Sequence, residues 1–179
     1  MSDVPPESRE TELGAQIHNS PSPAPSRLSV VLVEPEIAAN TGAIGRSCVA
    51  AGARLWLVRP LGFHLDDRYL RRAGLDYWDH LDLKVVNHLD EVTQVIGRDR
   101  LWSFSTKASA PYWQADFRPA DALVFGPESR GLPRSWLEQR PDRCVRIPIR
   151  PQARSLNLSC AVAIALFEAV RQIEKGSER

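Results

Sequence analysis

The stretch LSVVLVEPEIAANTGAIGRSCVAAGARLWLVRP, Leu28 to Pro60, decides the fold class. LSVVLVE is a near-continuous apolar run, the pattern of a strand covered on both faces of a parallel sheet. NTGAIGRSCVAAG follows. Ile44, Cys48, Val49 and Ala51 fall on one helical face. Asn40 and Thr41 are candidate N-caps and Gly52 is the candidate C-cap. RLWLVRP is a second strand, stopped by Pro60.

The alternation continues outward from there. LDLKVVN is a third strand, followed by a helix over roughly 89–97. RLWSFST is a fourth strand and DALVFG a fifth. A short helix starts near Pro133 in PRSWLEQ, RCVRIPI is the sixth strand, and SLNLSCAVAIALFEAVRQIEK is a long apolar helix. Strands alternating with helices predict an α/β domain with a mainly parallel six-stranded sheet and helices on both faces.

The 179 residues fit one domain with a tail. Residues 1–27 end in SPSPAPSR, lack apolar periodicity and read as a disordered Pro/Ser-rich tail; the domain is expected over 28–179. The N-terminus has neither the apolar core of a secretory signal nor an Arg-rich transit face. No apolar run approaches the ~20 residues a membrane span requires. Three cysteines without a C-x-x-C pair argue against a disulfide framework or a zinc site and fit a reducing cytoplasm. The four histidines have no metal-ligand spacing, so no metal is expected. The net charge is +1, with −2 in the tail and +3 in the rest. Any RNA surface must therefore be a local patch, or one doubled by dimerisation. Arg68, Arg71 and Arg72, just before LDYW, are one candidate for phosphate contacts.

Three loops at the carboxyl ends of strands carry the candidate chemistry, because ligands of open parallel sheets sit there. FGPESRGLP packs Gly126 and Gly131 with Pro127 and Pro133. The glycines allow positive φ or close approach of a ligand to the backbone, and the prolines stiffen the loop. Glu128 and Arg130 can tie that loop down or face a partner; a tight turn with a solvated ion pair is the competing reading. IPIRPQARSLNLS places Ser155, Asn157 and Ser159 at the start of the last helix. Ser155 or Asn157 serves there as the N-cap, or exposed N–H groups of the loop and helix start grip a polar ligand. EPEIAANTGAIGR places Arg46 six residues after Asn40 among small neighbours. None of the three is a G-x-G-x-x-G or G-K-[ST] loop, so a Rossmann dinucleotide site and a Walker site have no support.

In this order the three loops resemble the three motifs of the SpoU-type SPOUT RNA methyltransferases. EPEIAANTGAIGRSC is similar to motif one, LVFGPESRGLP to motif two and IPIRPQARSLNLSCAVAIALFEA to motif three. The resemblance runs from about Leu28 to Glu174, and LRRAGLDYW with no added RNA-binding domain is most similar to the branch acting on the tRNA wobble nucleotide.

The resemblance implies an α/β sheet with a C-terminal trefoil knot, a homodimer packed through its first and last helices, and S-adenosylmethionine as cofactor. It implies cofactor contacts at Phe104, Gly126, Ile147, Ser155 and Leu156, and catalytic positions at Arg46, Glu128 and Asn157. The expected reaction is methylation of the ribose 2′-oxygen of cytidine or uridine 34 in the tRNA anticodon stem-loop, in the cytoplasm and without a metal. A ribosomal RNA 2′-O-methyltransferase and a non-catalytic RNA-binding assembly protein of the same fold stand as alternatives. One departure is Phe167, where near relatives often carry tyrosine; a hydroxyl role at that position is lost here.

Overall fold

The structure, a computed structural model, describes residues 28–65 and 77–177. The tail 1–27 and the cluster of Arg68, Arg71 and Arg72 lie outside the described residues. In chain order the elements are β1 (Ser29–Val33), α1 (Ala38–Ala51), β2 (Arg54–Val58), β3 (Leu83–Val86), α2 (Leu89–Ile96), β4 (Leu101–Phe104), β5 (Ala110–Pro111), β6 (Ala122–Phe125), α3 (Arg134–Leu137), β7 (Cys144–Arg146) and α4 (Leu158–Ser177). One sheet contains all these strands in the order β3-β2-β1-β6-β4-β7-β5, and every pairing is parallel.

The sheet has seven strands rather than the expected six. The addition is β5, in which Ala110 and Pro111 register with Val145 and Arg146 of β7. Two residues carry no periodicity for a sequence pattern to register. The proline is tolerated because an edge strand does not need its N–H for a further partner.

Alternation along β1 explains its unbroken apolar run. Val30 and Leu32 face one cluster with Leu55, Leu57, Leu123 and Phe125, covered by Ile44 and Cys48 of α1 and by Val162, Ala165, Leu166 and Ala169 of α4. Val31 and Val33 face the other cluster with Trp56, Val58 and Val124, covered by Val92 of α2 and by Trp136 and Leu137 of α3. Both faces are buried, so both sets of side chains must be apolar. Ile44 and Leu166, each wholly buried, contribute about 1.5–3 kcal/mol apiece by leaving water.

Gly52 ends α1 as expected. Its φ of 64° is left-handed, and the carbonyls of Cys48 and Val49 are capped by the N–H groups of Ala53 and Gly52. The start of α1 corrects the sequence reading. The helix begins at Ala38, so Asn40 and Thr41 are buried inside its first turns instead of capping it. At the last helix Asn157 is the cap. Its carbonyl accepts from Ala161 N–H at 3.0 Å, and its side-chain Oδ1 accepts from Ser159 N–H at 2.9 Å. The base of β6 is anchored by Asp121, only 2% exposed. Its carboxylate accepts from Trp102 Nε1 at 3.0 Å and pairs with Arg100 at 2.9 Å, which offsets the cost of burying a charge. Cys48, Cys144 and Cys160 are all free thiols, and burial pushes Cys48 up to about 12.

Candidate functional site

Loops leaving β1, β4, β6 and β7 meet at the carboxyl ends of these four adjacent strands. They line a cavity of about 600 Å³, within the range of small-molecule sites. Its apolar wall includes Phe104 and Phe125, whose rings stack 4.7 Å apart, together with Ile147 and Leu156. Its polar wall includes Ser105, Glu128, Ser155 and Asn157. The five residues expected at a cofactor, Phe104, Gly126, Ile147, Ser155 and Leu156, all line this one cavity, as do Glu128 and Asn157.

A hydrogen-bonded chain ties the three loops together. Glu128 accepts from the backbone N–H of Glu36 at 2.8 Å and from Asn40 Nδ2 at 3.0 Å. Asn40 Oδ1 in turn accepts from Asn157 Nδ2 at 3.0 Å. Loop one (after β1), loop two (after β6) and the start of α4 are thus joined through three side chains. Asn40 is the residue that sequence reasoning missed as a site member. A cap-type residue near a helix start reads locally as a cap, and nothing local shows that its partners lie 88 and 117 positions away.

The reverse bonds complete the clasp. Glu36 accepts from Ser129 N–H at 2.9 Å and from Ser129 Oγ at 2.6 Å. Those bonds, reinforced by the charge of Arg130, hold the Glu36 carboxyl below its usual range. Arg130 pairs with Glu34 and also approaches Glu36 at 3.6 Å. Glu34 itself sits at φ 50°, a left-handed conformation that a non-glycine residue adopts at a cost of about 1–3 kcal/mol. The strain lies where β1 turns into loop one. Glu128 and Arg130 therefore tie the loop down, one of the two roles open to them in the sequence.

Gly126 lines the cavity, but the reason it must be glycine differs from the one expected. A Cβ there would lie 2.3 Å from Gly131 C and from Leu132 N, deep inside the loop's own backbone. The close approach is protein on protein. Loop two folds back on its first residue, and its Gly131 N–H to Pro127 carbonyl bond of 2.8 Å closes the turn.

Arg46 is placed apart from the other candidates. It does not line the cavity, it is exposed, and its guanidinium lies 4.7 Å from the centre of the Tyr77 ring. Six helical residues from Asn40 correspond to a rise of about 9 Å along α1 and a different face. The fold therefore gathers Glu128, Asn157 and the five cavity residues, and leaves Arg46 on the outer surface of α1. Among the described residues, no three His, Cys, Asp or Glu side chains gather in a metal-binding group, and no helix is long and apolar enough to cross a membrane.

Residues 27–167 match the SpoU rRNA methylase family. A Burkholderia ambifaria protein named tRNA (cytidine(34)-2′-O)-methyltransferase is 47% identical over 147 residues, covering 80% of this chain and 94% of that one. A solved structure described as giving structural insights into the 2-OH methylation of C/U34 on tRNA is 44% identical. It superposes with a TM-score of 0.77 over 84% of this chain and 92% of that one. An AdoMet-bound rRNA methyltransferase from Sinorhizobium meliloti is 28% identical with a TM-score of 0.74, over 83% of this chain and 57% of that one. With the match spanning the sheet, the three loops and the first half of the last helix, the chain belongs to the SpoU rRNA methylase family.

Proposed function

We propose that this chain is an S-adenosylmethionine-dependent tRNA 2′-O-methyltransferase acting on the ribose of cytidine or uridine 34. The observation that carries the reading is the single cavity shared by the three loops, in a chain so similar over nearly its full domain to a protein named for that reaction.

The cavity fits the cofactor in size and in character. Phe104, Ile147 and Leu156 supply apolar surface for a flat base, while Ser155 and the backbone beside Gly126 supply polar edges. Bound there, S-adenosylmethionine supplies an electrophilic methyl group. The chain's own work is to hold the loops and to place the ribose. Glu128 is occupied by two donors, so its role is to fix loop one against loop two. Asn157 orders the start of α4 through Ser159 and meets Asn40, which aligns loop three with the other two. Such preorganisation contributes by keeping reacting groups in register. Arg46 acts on the RNA side. Its outward position suits contact with the ribose-phosphate or with charge developing on the 2′-oxygen, through a planar fork of N–H donors that has no acceptor atom.

The rest of the reading follows from the same family. The domain occupies 28–179 with 1–27 a tail outside it, and the segment through the β7–α4 loop forms a trefoil knot. The protein works as a homodimer in the cytoplasm. Ile37, Ile164 and Phe167 are large apolar side chains left exposed on loop one and α4, which suits a dimer packed through the first and last helices. Phe167 offers packing there and no hydroxyl.

The test is methyl transfer by the purified full chain to tRNA transcripts with C34 or U34, read by nucleoside mass spectrometry. A 2′-O-methyl group at position 34 is the expected product. Methylation of a ribosomal RNA fragment and none of tRNA would overturn the tRNA assignment. Cofactor binding without transfer to either RNA would favour a non-catalytic role.

A further inference from the structure

The segment Arg146–Arg150, RIPIR, has two different sides. Ile147 and Ile149 are half-buried and line the cavity, while Arg146, Pro148 and Arg150 are exposed on the other side. The same peptide therefore builds the cavity wall inside and a basic strip outside. Lys107 and Arg154 extend the strip to the cavity rim, where both line it.

None of these four basic side chains has an ion pair or a side-chain hydrogen bond among the described residues. Acids close by in sequence or on the cavity wall are already engaged. Asp142 pairs with Arg140, Asp116 with Arg118, and Glu128 accepts from loop one. In a chain of net charge +1 the local excess is conspicuous. At the outer end of the strip, Pro111 lies in register with Arg146, and Trp113 follows two residues later. Trp113 is 55% exposed and is braced edge-on by Tyr112 at 5.4 Å. Unpaired cations beside an exposed aromatic face suit a flexible polyanion with unstacked bases, which a single-stranded RNA loop is and a folded protein surface is not.

We propose that Lys107, Arg146, Arg150 and Arg154 track the phosphates of the RNA strand continuing away from the reacting nucleotide, with Trp113 stacking one of its bases. This rests on the methyl-transfer reading of the cavity. It adds the direction in which the substrate leaves the site, across β7 towards the β5 edge of the sheet.

The test uses the full chain, an anticodon stem-loop RNA, and binding measured across a salt series. The Arg146→Gln/Arg150→Gln variant leaves the cavity lining untouched, so its affinity for S-adenosylmethionine should match wild type; that measurement also reports the fold. Its RNA affinity should fall about tenfold, and the slope of log affinity against log salt should flatten by roughly 1.4–1.8 for two lost phosphate contacts. Trp113→Ala should weaken RNA binding at least about fivefold with the slope unchanged, because stacking releases no counterions. Lys84→Gln, at the opposite edge of the sheet, should change neither. An unaltered slope in the double variant, or an equal loss in Lys84→Gln, overturns the strip. If wild type leaves nucleotide 34 unmethylated yet the double variant still loses its slope, the strip stands and the choice of nucleotide falls.

Discussion

Replacing Gly126 by alanine adds one methyl group where the structure has no room for it. The new Cβ would stand 2.3 Å from Gly131 C, 2.3 Å from Leu132 N and 2.8 Å from Gly131 O. All three are backbone atoms, so no rotamer can move aside, and loop two must shift by about an ångström to reach ordinary contact near 3.5 Å. Overpacking of this kind costs about 1–3 kcal/mol. The backbone setting puts Gly126→Ala at the upper end, about 2–3 kcal/mol, or roughly 4–12 °C in Tm for a domain of this size. Glu128 lies two residues on, and its bonds to Glu36 and Asn40 would loosen with the loop. Cofactor affinity should therefore fall at least tenfold together with stability. Gly131→Ala is the control. It meets nothing within 4 Å and carries only the strain of its φ of 68°, about 1–2 kcal/mol. Differential scanning calorimetry and titration calorimetry with S-adenosylmethionine read both quantities. A Gly126→Ala protein with wild-type Tm and wild-type affinity would refute the backbone argument. Lost affinity at unchanged Tm would return Gly126 to a direct contact with the cofactor.

Two further predictions concern Arg46 of α1 and Glu36 of loop one. Arg46→Ala should leave S-adenosylmethionine affinity unchanged, since Arg46 lies off the cavity, and lose stability only by the exposed contact with Tyr77, about 0.5–1 kcal/mol. Single-turnover methylation should nonetheless drop on the order of a hundredfold, and Arg46→Lys should recover little if the planar fork matters; near-normal turnover in the alanine variant would remove Arg46 from the reaction. The Glu36 clasp should be pH-dependent. Its folded pKa is depressed, so its stabilisation is complete above the unfolded carboxylate value of about 4.3 and is lost as pH falls through the lower folded value. The Ser129 amide, followed by NMR, should keep its shift to below pH 4.3, and a midpoint at or above that value would contradict the clasp.

Much of this architecture was legible along the chain. The unbroken apolar run at Val30–Val33 required cover on both faces, and the clusters under α1 and α4 and under α2 and α3 supply it. Gly52 marked the end of α1, and the three Gly-, Pro- and Ser-rich loops marked the strand ends where the cavity lies. These signals are local. They depend on the period of burial and on the dihedral preferences of single residues, both of which a linear sequence records. Tertiary structure alone decided the rest. Asn40 reads as a helix cap until folding sets it between Glu128 and Asn157. The reason Gly126 is glycine stays hidden until Gly131 and Leu132 come within 2.3 Å of where its Cβ would stand. β5 is too short to have a pattern and exists only because β7 lies beside it. Arg46 reads as a neighbour of Asn40 until the helix turns it outward onto Tyr77. In each case the deciding contact joins residues whose separation along the chain says nothing of their separation in space, and a contact of that kind leaves no mark on local composition.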